Sequence, residues 1–398
     1  MIAFPKVDPN GMTARVLLAF LATAGLYYVN IMPALVDGFK EGLSFSNRDA
    51  GLVGSFNVYG AACGAFVVAF LVTRINWRLT SHLLLLGLLV LDTISMFVVD
   101  PASLMALRFV HGLVGGSLVG VGFSIIARTQ APDRTFGMLL LVQALAGGLG
   151  VMALPPLVPQ FGTQVLFAAL ILFSAITLLL LQFLPDYPPR AMSTTRVVGS
   201  GLAAKGPYLF ALASVFLFQA ANMGLYAFVI GLGKSYGLNV EFVSETLGIA
   251  NWFGILGATL VIWLSTRYGI FRPIFVGIVL TVLGTWALML SDVKWIWIAS
   301  NIVTAVTWNF VIAYLLGMCS RFDYAGQSAV WAGFVSKMGL ATGPLIGSFV
   351  LDGSRYTILI AVSLGLLALS TLAATLPARY LDREDPRPGR PDAALQIT

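Results

Sequence analysis

The sequence predicts an all-α membrane protein with twelve transmembrane helices in two six-helix bundles related by pseudo-two-fold symmetry. Three observations predict this fold: an apolar composition, apolar runs long enough to cross a bilayer, and a repeat that relates the two halves. Of 398 residues, 58% are hydrophobic and only 10% are charged, and the mean hydropathy is +0.91. Soluble domains carry about 25% charged residues, so most of this surface is expected to face lipid.

Apolar runs of spanning length recur along the whole chain, each near the roughly 20 residues that a membrane helix needs. We number them spans 1 to 12. They cover 13–33, 50–73, 80–99, 102–127, 136–158 and 163–184 in the first half, and 207–232, 243–265, 271–290, 295–318, 327–350 and 355–377 in the second. Span 1 is interpreted as a retained helix and not as a signal peptide, because it ends in Tyr27, Tyr28, Asn30 and Pro33 without a small-residue cleavage site.

The longest polar connection lies between spans 6 and 7. We therefore expect a terminal segment at 1–12, a bundle at 13–184, a linker at 185–206, a second bundle at 207–377 and a tail at 378–398. Sixteen Lys and Arg fall in the tails and loops on the side of the termini, and five fall in the opposite loops. The positive-inside rule then predicts cytoplasmic termini and a multi-pass protein of the inner membrane.

A short repeat supports the division into two bundles. Glycine, asparagine and glycine follow one another at three-residue spacing in span 2 and again, 194 positions later, in span 8: Gly54, Asn57 and Gly60, then Gly248, Asn251 and Gly254. Residues three apart lie on one side of a helix, so each set forms a stripe. Parallel halves related in this way recur in membrane transporters.

Further short patterns lie in and after spans 2, 4, 5 and 11. They comprise Ala69, Thr73, Arg74, Asn76 and Arg78 after span 2; Arg108, His111, Gly112, Gly115 and Gly116 in span 4, with Asp133 and Arg134 in the turn beyond; Gly147, Gly148, Gly150 and Pro155 in span 5; and Gly339, Gly343, Pro344 and Gly347 in span 11. Because these patterns occur together and in this order, the chain resembles the major facilitator superfamily from span 1 to span 12. The turn after span 2 departs from the family pattern, because it keeps the arginines but lacks the aspartate and both glycines.

The resemblance implies the fold of that family, secondary active transport by alternating access, and a path lined by spans 1, 4, 7 and 10. It also implies a gating role for the turns after spans 2 and 8, where Arg74, Arg78 and Arg267 lie. Threonine stands at Thr73 and Thr266 where the family's ion pair needs an acid, so that latch is not expected to form here.

Four ionisable residues lie well away from the ends of the predicted spans: Asp92, Arg108, His111 and Lys337. A charge at mid-bilayer costs about 3 kcal/mol on insertion scales, so each is expected to face a cavity or a partner. Asp92 and Arg108 form either a structural ion pair or part of the cavity, and the resemblance favours the cavity for Arg108. His111 and Asp92 are the candidate proton carriers, with a neutral packing histidine as the alternative. Lys337 is expected either to contact a solute, or to extend its ammonium toward the membrane surface or toward backbone carbonyls.

Uncharged polar and aromatic residues on the probable path complete the candidate site. They are Tyr27, Asn30, Gln219, Asn222, Tyr226, Asn301, Thr304 and Trp308, with Asn57, Gln143 and Asn251 as additions. Arg108 and Lys337 on opposite bundles would hold a carboxylate by charge-assisted hydrogen bonds. We therefore predict transport of a small organic anion, coupled to protons or to exchange. A proton-coupled exporter of amphipathic compounds and a non-transporting sensor are the alternatives.

Other classes of function lack their sequence signatures. The chain has no HExxH, no Ser/His/Asp set and no phosphate-binding loop. Its two histidines, His82 and His111, and its two cysteines, Cys63 and Cys319, are too few for a metal or disulfide framework. The basic residues stand singly and form no nucleic-acid patch. We expect no enzyme activity, cofactor, metal or nucleic acid, and a monomer in the lipid bilayer whose partners are a small anionic solute and protons.

Overall fold

The computed structural model describes residues 5–72, 74–188, 205–265, 267–322, 327–351 and 355–384. The first half consists of α1 (Met12–Ala24), α2 (Tyr27–Asn30), α3 (Met32–Leu43), α4 (Asn47–Leu71), α5 (Trp77–Ser95), α6 (Pro101–Ile126), α7 (Pro132–Phe161) and α8 (Gln164–Leu180), with a 3-10 turn over Leu181–Phe183. The second half consists of α9 (Lys205–Ala227), α10 (Val229–Ser235), α11 (Val240–Leu264), α12 (Phe271–Ala287), a 3-10 turn over Leu288–Leu290, α13 (Lys294–Ser320), α14 (Gln327–Val350) and α15 (Tyr356–Glu384).

These helices confirm the predicted twelve-span membrane fold in two bundles. Ten of the described helices are long and apolar enough to cross a membrane, and α1 is a shorter apolar helix. Span 1 is divided into α1, α2 and α3, and span 7 into α9 and α10. The proposed limits of linker and tail remain predictions, because 189–204 and 385–398 lie outside the described residues.

The last helix continues beyond the apolar run that predicted it. α15 passes through Pro377 and ends at Glu384, seven residues after the predicted end of span 12 at 377. The extra turns are anchored, because the Asp382 carboxylate accepts the backbone N–H groups of Ile270 and Phe271 at 2.8 and 3.1 Å. The first N–H groups of α12 have no partner within their own helix, and the Asp382 carboxylate supplies one. This contact stabilises the polar end of α15 beyond the apolar run.

Glycines of spans 2 and 8 serve close packing within each bundle. A Cβ atom on Gly60 of α4 would overlap the Phe109 carbonyl of α6, and one on Gly257 of α11 would overlap the Val306 carbonyl of α13. Span 2 therefore packs backbone to backbone on span 4, and span 8 does the same on span 10. Small residues allow such contact in membranes, where apolar burial between helices gives little driving force.

The apolar cores show where the two bundles join. One cluster contains residues from both halves, including Phe39 of α3 and Ile230 of α10. Two further clusters are each confined to one half, one around Leu18 and the other around Phe218. The bundles thus share a core near one end and keep separate cores near the other. We call the first end the closed face and the second, where α1 begins and α15 ends, the terminal face.

Candidate functional site

Charged side chains join the two bundles at the closed face. The Lys234 ammonium of α10 lies 3.2 Å from the Asp37 carboxylate and 2.6 Å from the Glu41 carboxylate, both on α3. Lys40 of α3 donates to the Tyr356 hydroxyl of α15 at 3.2 Å. We call these five residues the closing cluster. It crosses between bundles, so any movement that separates them at this face must break it.

A central cavity lies between the bundles and opens toward the terminal face. It contains about 1350 Å³ of empty space, including the part open to solvent. Gly137 lies in the first turns of α7 and Ile262 in the last turn of α11, both at the terminal face. The polar and aromatic side chains of its wall are Asn30, Gln143, Gln219, Tyr226, Asn251, Thr259, Trp308 and Asn309. The chain is therefore open on one side of the cavity and closed on the other.

A smaller side pocket extends from this cavity into the second bundle. It holds about 560 Å³ of empty space, including the part open to solvent, and shares Tyr226, Asn251, Trp308 and Asn309 with the central cavity. Its other polar lining residues are Asn222, Thr285, Asn301 and Thr304. Most of the predicted uncharged site residues thus lie around these two spaces. Tyr27 and Asn57 are the exceptions. Both are buried, and Tyr27 stacks on Phe173 with ring centroids 4.5 Å apart.

Hydrogen bonds fix the aromatic residues between the cavity and the side pocket. The Trp308 indole N–H donates to Gln219 Oε1 at 2.7 Å. The Tyr226 hydroxyl accepts from Asn251 Nδ2 at 2.9 Å and donates to the Asn30 backbone carbonyl at 3.2 Å. Asn30 ends α2 beside the break in span 1, and interrupted helices expose such carbonyls in transporter sites. The amide nitrogen of its side chain is buried and has no partner among the described residues.

Arg108 lies in a buried network of the first bundle and does not line either space. Its guanidinium is fully buried, donates to Asp92 Oδ1 at 2.7 Å and to the Leu91 carbonyl at 3.0 Å, and also bonds the Ser95 hydroxyl. The ring of Phe167 lies 5.3 Å from the guanidinium carbon. The structure therefore differs from the expectation that Arg108 faces the cavity. The physical reason is that Asp92, on the neighbouring span, neutralises the guanidinium inside the bundle.

His111 and Asn57 extend this network. His111 Nε2 lies 3.3 Å from Asp92 Oδ1, and its Nδ1 lies 2.8 Å from Asn57 Nδ2. Asn57 Nδ2 also donates to the Arg108 carbonyl at 3.1 Å. An imidazole protonated on Nε2 alone satisfies both of its contacts, because Nδ1 then accepts from the amide. Asn57 and Asn251 occupy equivalent positions of the repeat, yet the first is buried in the bundle and the second faces the cavity.

Lys337 lies near the middle of α14 and is half-buried. Among the described residues it has neither a hydrogen bond nor an ion pair. It precedes Leu340, a lining residue of the central cavity, by three positions, and it follows Gly333 by four. A Cβ atom on Gly333 would meet nothing within 4 Å, so this side of α14 borders open space. The sequence predicted Lys337 and Arg108 on opposite walls of one cavity. Neither is among the residues that line it, but Lys337 lies one helical turn from Leu340, which does.

The predicted gating arginines lie at the terminal face. Arg78 pairs with Asp186 at 3.1 Å and donates to the Leu184 carbonyl at 2.7 Å, which ties the start of α5 to the segment after α8. Arg74 and Arg267 are exposed. Thr73 and Thr266, between the helices of these turns, lie outside the described residues. Arg78 is thus bound within its own bundle, and a gating role for the three arginines remains a prediction.

Sequence reasoning missed the closing cluster, since it counted Lys40 and Lys234 only as loop charges. Two signals were present. Asp37 and Glu41 are four residues apart and therefore share one side of α3. Lys234 follows Lys40 by 194 positions, the offset of the glycine and asparagine repeat. The partners across the bundles are 197 residues apart in the chain, so their contact is visible only in the fold.

The fold has close matches among solved structures. The nucleoside transporter NupG matches with a TM-score of 0.73 and 15% identity, over 92% of this chain and 98% of its own. A bacterial homolog of the human lysosomal transporter Spinster, in an inward-facing and occupied conformation, matches with a TM-score of 0.71 and 14% identity, over 96% of this chain and 100% of its own. At such identities the likeness establishes the fold alone.

One curated relative matches part of the sequence. A Bacillus subtilis (strain 168) protein named as a niacin/nicotinamide transporter, NiaP, is 26% identical over 163 residues, which is 40% of this chain and 41% of the relative. The match therefore spans about two fifths of either protein. The family model described as Major Facilitator Superfamily matches residues 16–337, from span 1 into span 11. That coverage and the twelve-helix fold establish that this chain belongs to the Major Facilitator Superfamily of membrane transporters.

Proposed function

We propose that this chain is a secondary active transporter that carries a small organic anion through the central cavity by alternating access. Lys337 is the observation that carries this proposal. Asp92 and Arg108 neutralise each other inside the first bundle, whereas no described residue neutralises the Lys337 ammonium. A cation without a partner among the described residues, at mid-membrane depth and one turn from a residue that lines the central cavity, favours an anionic solute as its partner.

The similarity to NiaP supports a small solute with a ring. Niacin is a pyridine carboxylate and nicotinamide is its neutral amide, so the name of the relative includes one anion of the proposed class. The cavity wall agrees with such a solute, because it combines Trp308 and Tyr226 with the carboxamides of Asn30, Gln219 and Asn251. Small-molecule sites commonly pair an apolar or aromatic lining with a few polar groups that fix orientation.

We further infer that both termini are cytoplasmic, so that the cavity opens inward in this structure. The excess of Lys and Arg at the terminal face supports this orientation. A fluorescent protein fused after residue 398 should fluoresce, and alkaline phosphatase at the same position should be inactive. Active phosphatase at this end would reverse the orientation.

The proposal is tested by uptake into proteoliposomes with radiolabelled benzoate and nicotinate. Lys337→Gln should lower uptake at least tenfold, whereas Lys337→Arg should keep part of it. The matched control is Lys294→Gln, which removes an exposed lysine at the start of α13 and should leave uptake unchanged. Unchanged uptake by Lys337→Gln, in protein that elutes as a folded monomer, would remove the anion assignment.

Coupling to protons or to exchange is part of the proposal. Uptake driven by an inward proton gradient indicates symport, and uptake only into vesicles loaded with a carboxylate indicates exchange. His111→Gln tests whether the buried network carries the proton, because an amide that does not titrate replaces the imidazole between Asp92 and Asn57. Loss of proton dependence with retained exchange would assign the proton to His111. Proton-driven efflux of amphipathic cations, with no carboxylate uptake, would instead favour the exporter.

A further inference from the structure

We propose that the side pocket binds a planar nitrogen heteroaromatic ring, so that the transported anion is a heteroaromatic carboxylate. The inference rests on the proposed function for the carboxylate, and on the side pocket alone for the ring. The pocket lies between α9, α11, α12 and α13 of the second bundle. It penetrates the second bundle toward the shared core, to which its lining residues Val229, Leu247 and Leu288 belong.

The aromatic walls of the pocket suit a flat ring. Tyr226 and Trp308 meet edge to face, with ring centroids 5.6 Å apart and planes 76° apart. The polar group of each ring is already hydrogen-bonded. The Trp308 indole N–H bonds Gln219, and the Tyr226 hydroxyl bonds Asn251 and the Asn30 carbonyl. The rings are thereby held in place, and their faces stay apolar. Aromatic faces and edges attract another aromatic ring more than a saturated ring of the same size.

Carboxamides supply the polar edge of the pocket. Asn222 and Asn301 each donate one N–H to the carbonyl four residues earlier, at 2.8 Å to Phe218 and 2.9 Å to Trp297. Each side chain then keeps its oxygen and its second N–H, for which no partner is found among the described residues. A ring nitrogen accepts from such an N–H, whereas a hydrocarbon ring leaves these groups without a partner. The pocket therefore favours a nitrogen heterocycle over a benzene ring.

The charge distribution sets the orientation of the ligand. No Asp, Glu, Lys or Arg lies among the described residues that line the side pocket. A carboxylate inside it would be desolvated without a counter-ion, which is strongly unfavourable. The carboxylate must therefore lie in the central cavity, on the side of α14, where Leu340 lines the cavity one turn from Lys337. Ring and carboxylate are recognised in separate places, so their contributions can be measured separately.

Four probes separate these contributions: nicotinate, benzoate, cyclohexanecarboxylate and nicotinamide. Binding to the purified full-length protein is measured by calorimetry. Nicotinate should bind about tenfold more tightly than benzoate, and benzoate about tenfold more tightly than cyclohexanecarboxylate. Trp308→Leu should remove the difference between benzoate and cyclohexanecarboxylate. Asn301→Leu should remove the difference between nicotinate and benzoate. Trp263→Leu, which changes a tryptophan that is 65% exposed on α11, is the matched control and should change neither.

The outcomes distinguish this inference from the proposed function. Equal binding of benzoate and cyclohexanecarboxylate overturns the ring pocket, and Lys337-dependent uptake of both would leave the anion transporter standing. Equal binding of nicotinamide and nicotinate, unaffected by Lys337→Gln, overturns the anion assignment and supports the ring pocket. Failure of all four probes to bind a protein that unfolds cooperatively overturns the ring pocket. Tight nicotinate binding that Asn301→Leu and Trp308→Leu leave unchanged also overturns it.

Discussion

The Tyr226 hydroxyl donates a hydrogen bond to the Asn30 backbone carbonyl at 3.2 Å, across the boundary between the two bundles. Asn30 ends α2 in span 1, and Tyr226 lies two residues before the break of span 7 at Phe228. The bond therefore joins the two interrupted helices at the end of the cavity that lies farthest from its opening. A solute that enters the cavity would reach this end last. A solute that competes for either group changes the contact between bundles as it binds.

Tyr226→Phe should loosen this junction while the ring remains. Loss of one neutral hydrogen bond is worth about 1 kcal/mol, or roughly a fivefold shift between states. A cysteine placed at Leu232, which is fully buried in the shared core, reports opening of the closed face. Its labelling by an impermeant maleimide should accelerate about fivefold in a background carrying Cys63→Ser and Cys319→Ser. An unchanged labelling rate would mean that this bond does not hold the bundles.

Lys234→Gln should open the closed face further, because it removes the cation that two carboxylates share across the bundles. We expect labelling at position 232 to accelerate more than with Tyr226→Phe. The exchange of Asp37→Lys with Lys234→Asp should restore slow labelling, since the attraction is kept with its direction reversed. Lys294→Gln removes a cation outside the cluster and is the control. Slow labelling in Lys234→Gln would show that the apolar core closes this face without the charges.

Asp92 and Arg108 should behave as a buried ion pair in stability measurements. Arg108→Met leaves an uncompensated carboxylate, and Asp92→Leu leaves an uncompensated guanidinium, so each should destabilise by about 3–5 kcal/mol. The double variant removes both charges and should be milder than either single one. Thermal unfolding of the purified protein measures all three. A double variant as unstable as the sum of both single variants would exclude the pair as a unit.

Gly60→Ala should destabilise the first bundle, because its Cβ would overlap the Phe109 carbonyl and separate α4 from α6. Gly365→Ala is the matched control. Position 365 lies in α15, where a Cβ would meet nothing within 4 Å, and alanine there should stabilise the helix by about 0.5–1 kcal/mol. Thermal unfolding should therefore move in opposite directions for these two changes. A neutral Gly60→Ala would show that the helices adjust without loss.

Hydropathy, loop charge and the internal repeat determined the twelve spans, the two bundles and the placement of both termini at one end. These properties depend on local composition. A spanning helix makes its backbone hydrogen bonds within itself, so it needs only enough consecutive apolar residues to cross the bilayer. Local spacing also identified polar residues at the right depth, and most of the uncharged ones, such as Asn301 and Trp308, lie around the cavity and the side pocket.

Only the tertiary structure decided which polar residues are partners. Arg108 and Lys337 look alike in sequence, yet Asp92 neutralises the first and no described residue neutralises the second. Asp37 and Lys234 look like ordinary loop charges, yet they close the cavity across 197 residues of chain. Helical periodicity gives the side of a helix on which a residue lies. The rotation and contacts of the packed helices, which depend on every other side chain, determine what that side meets.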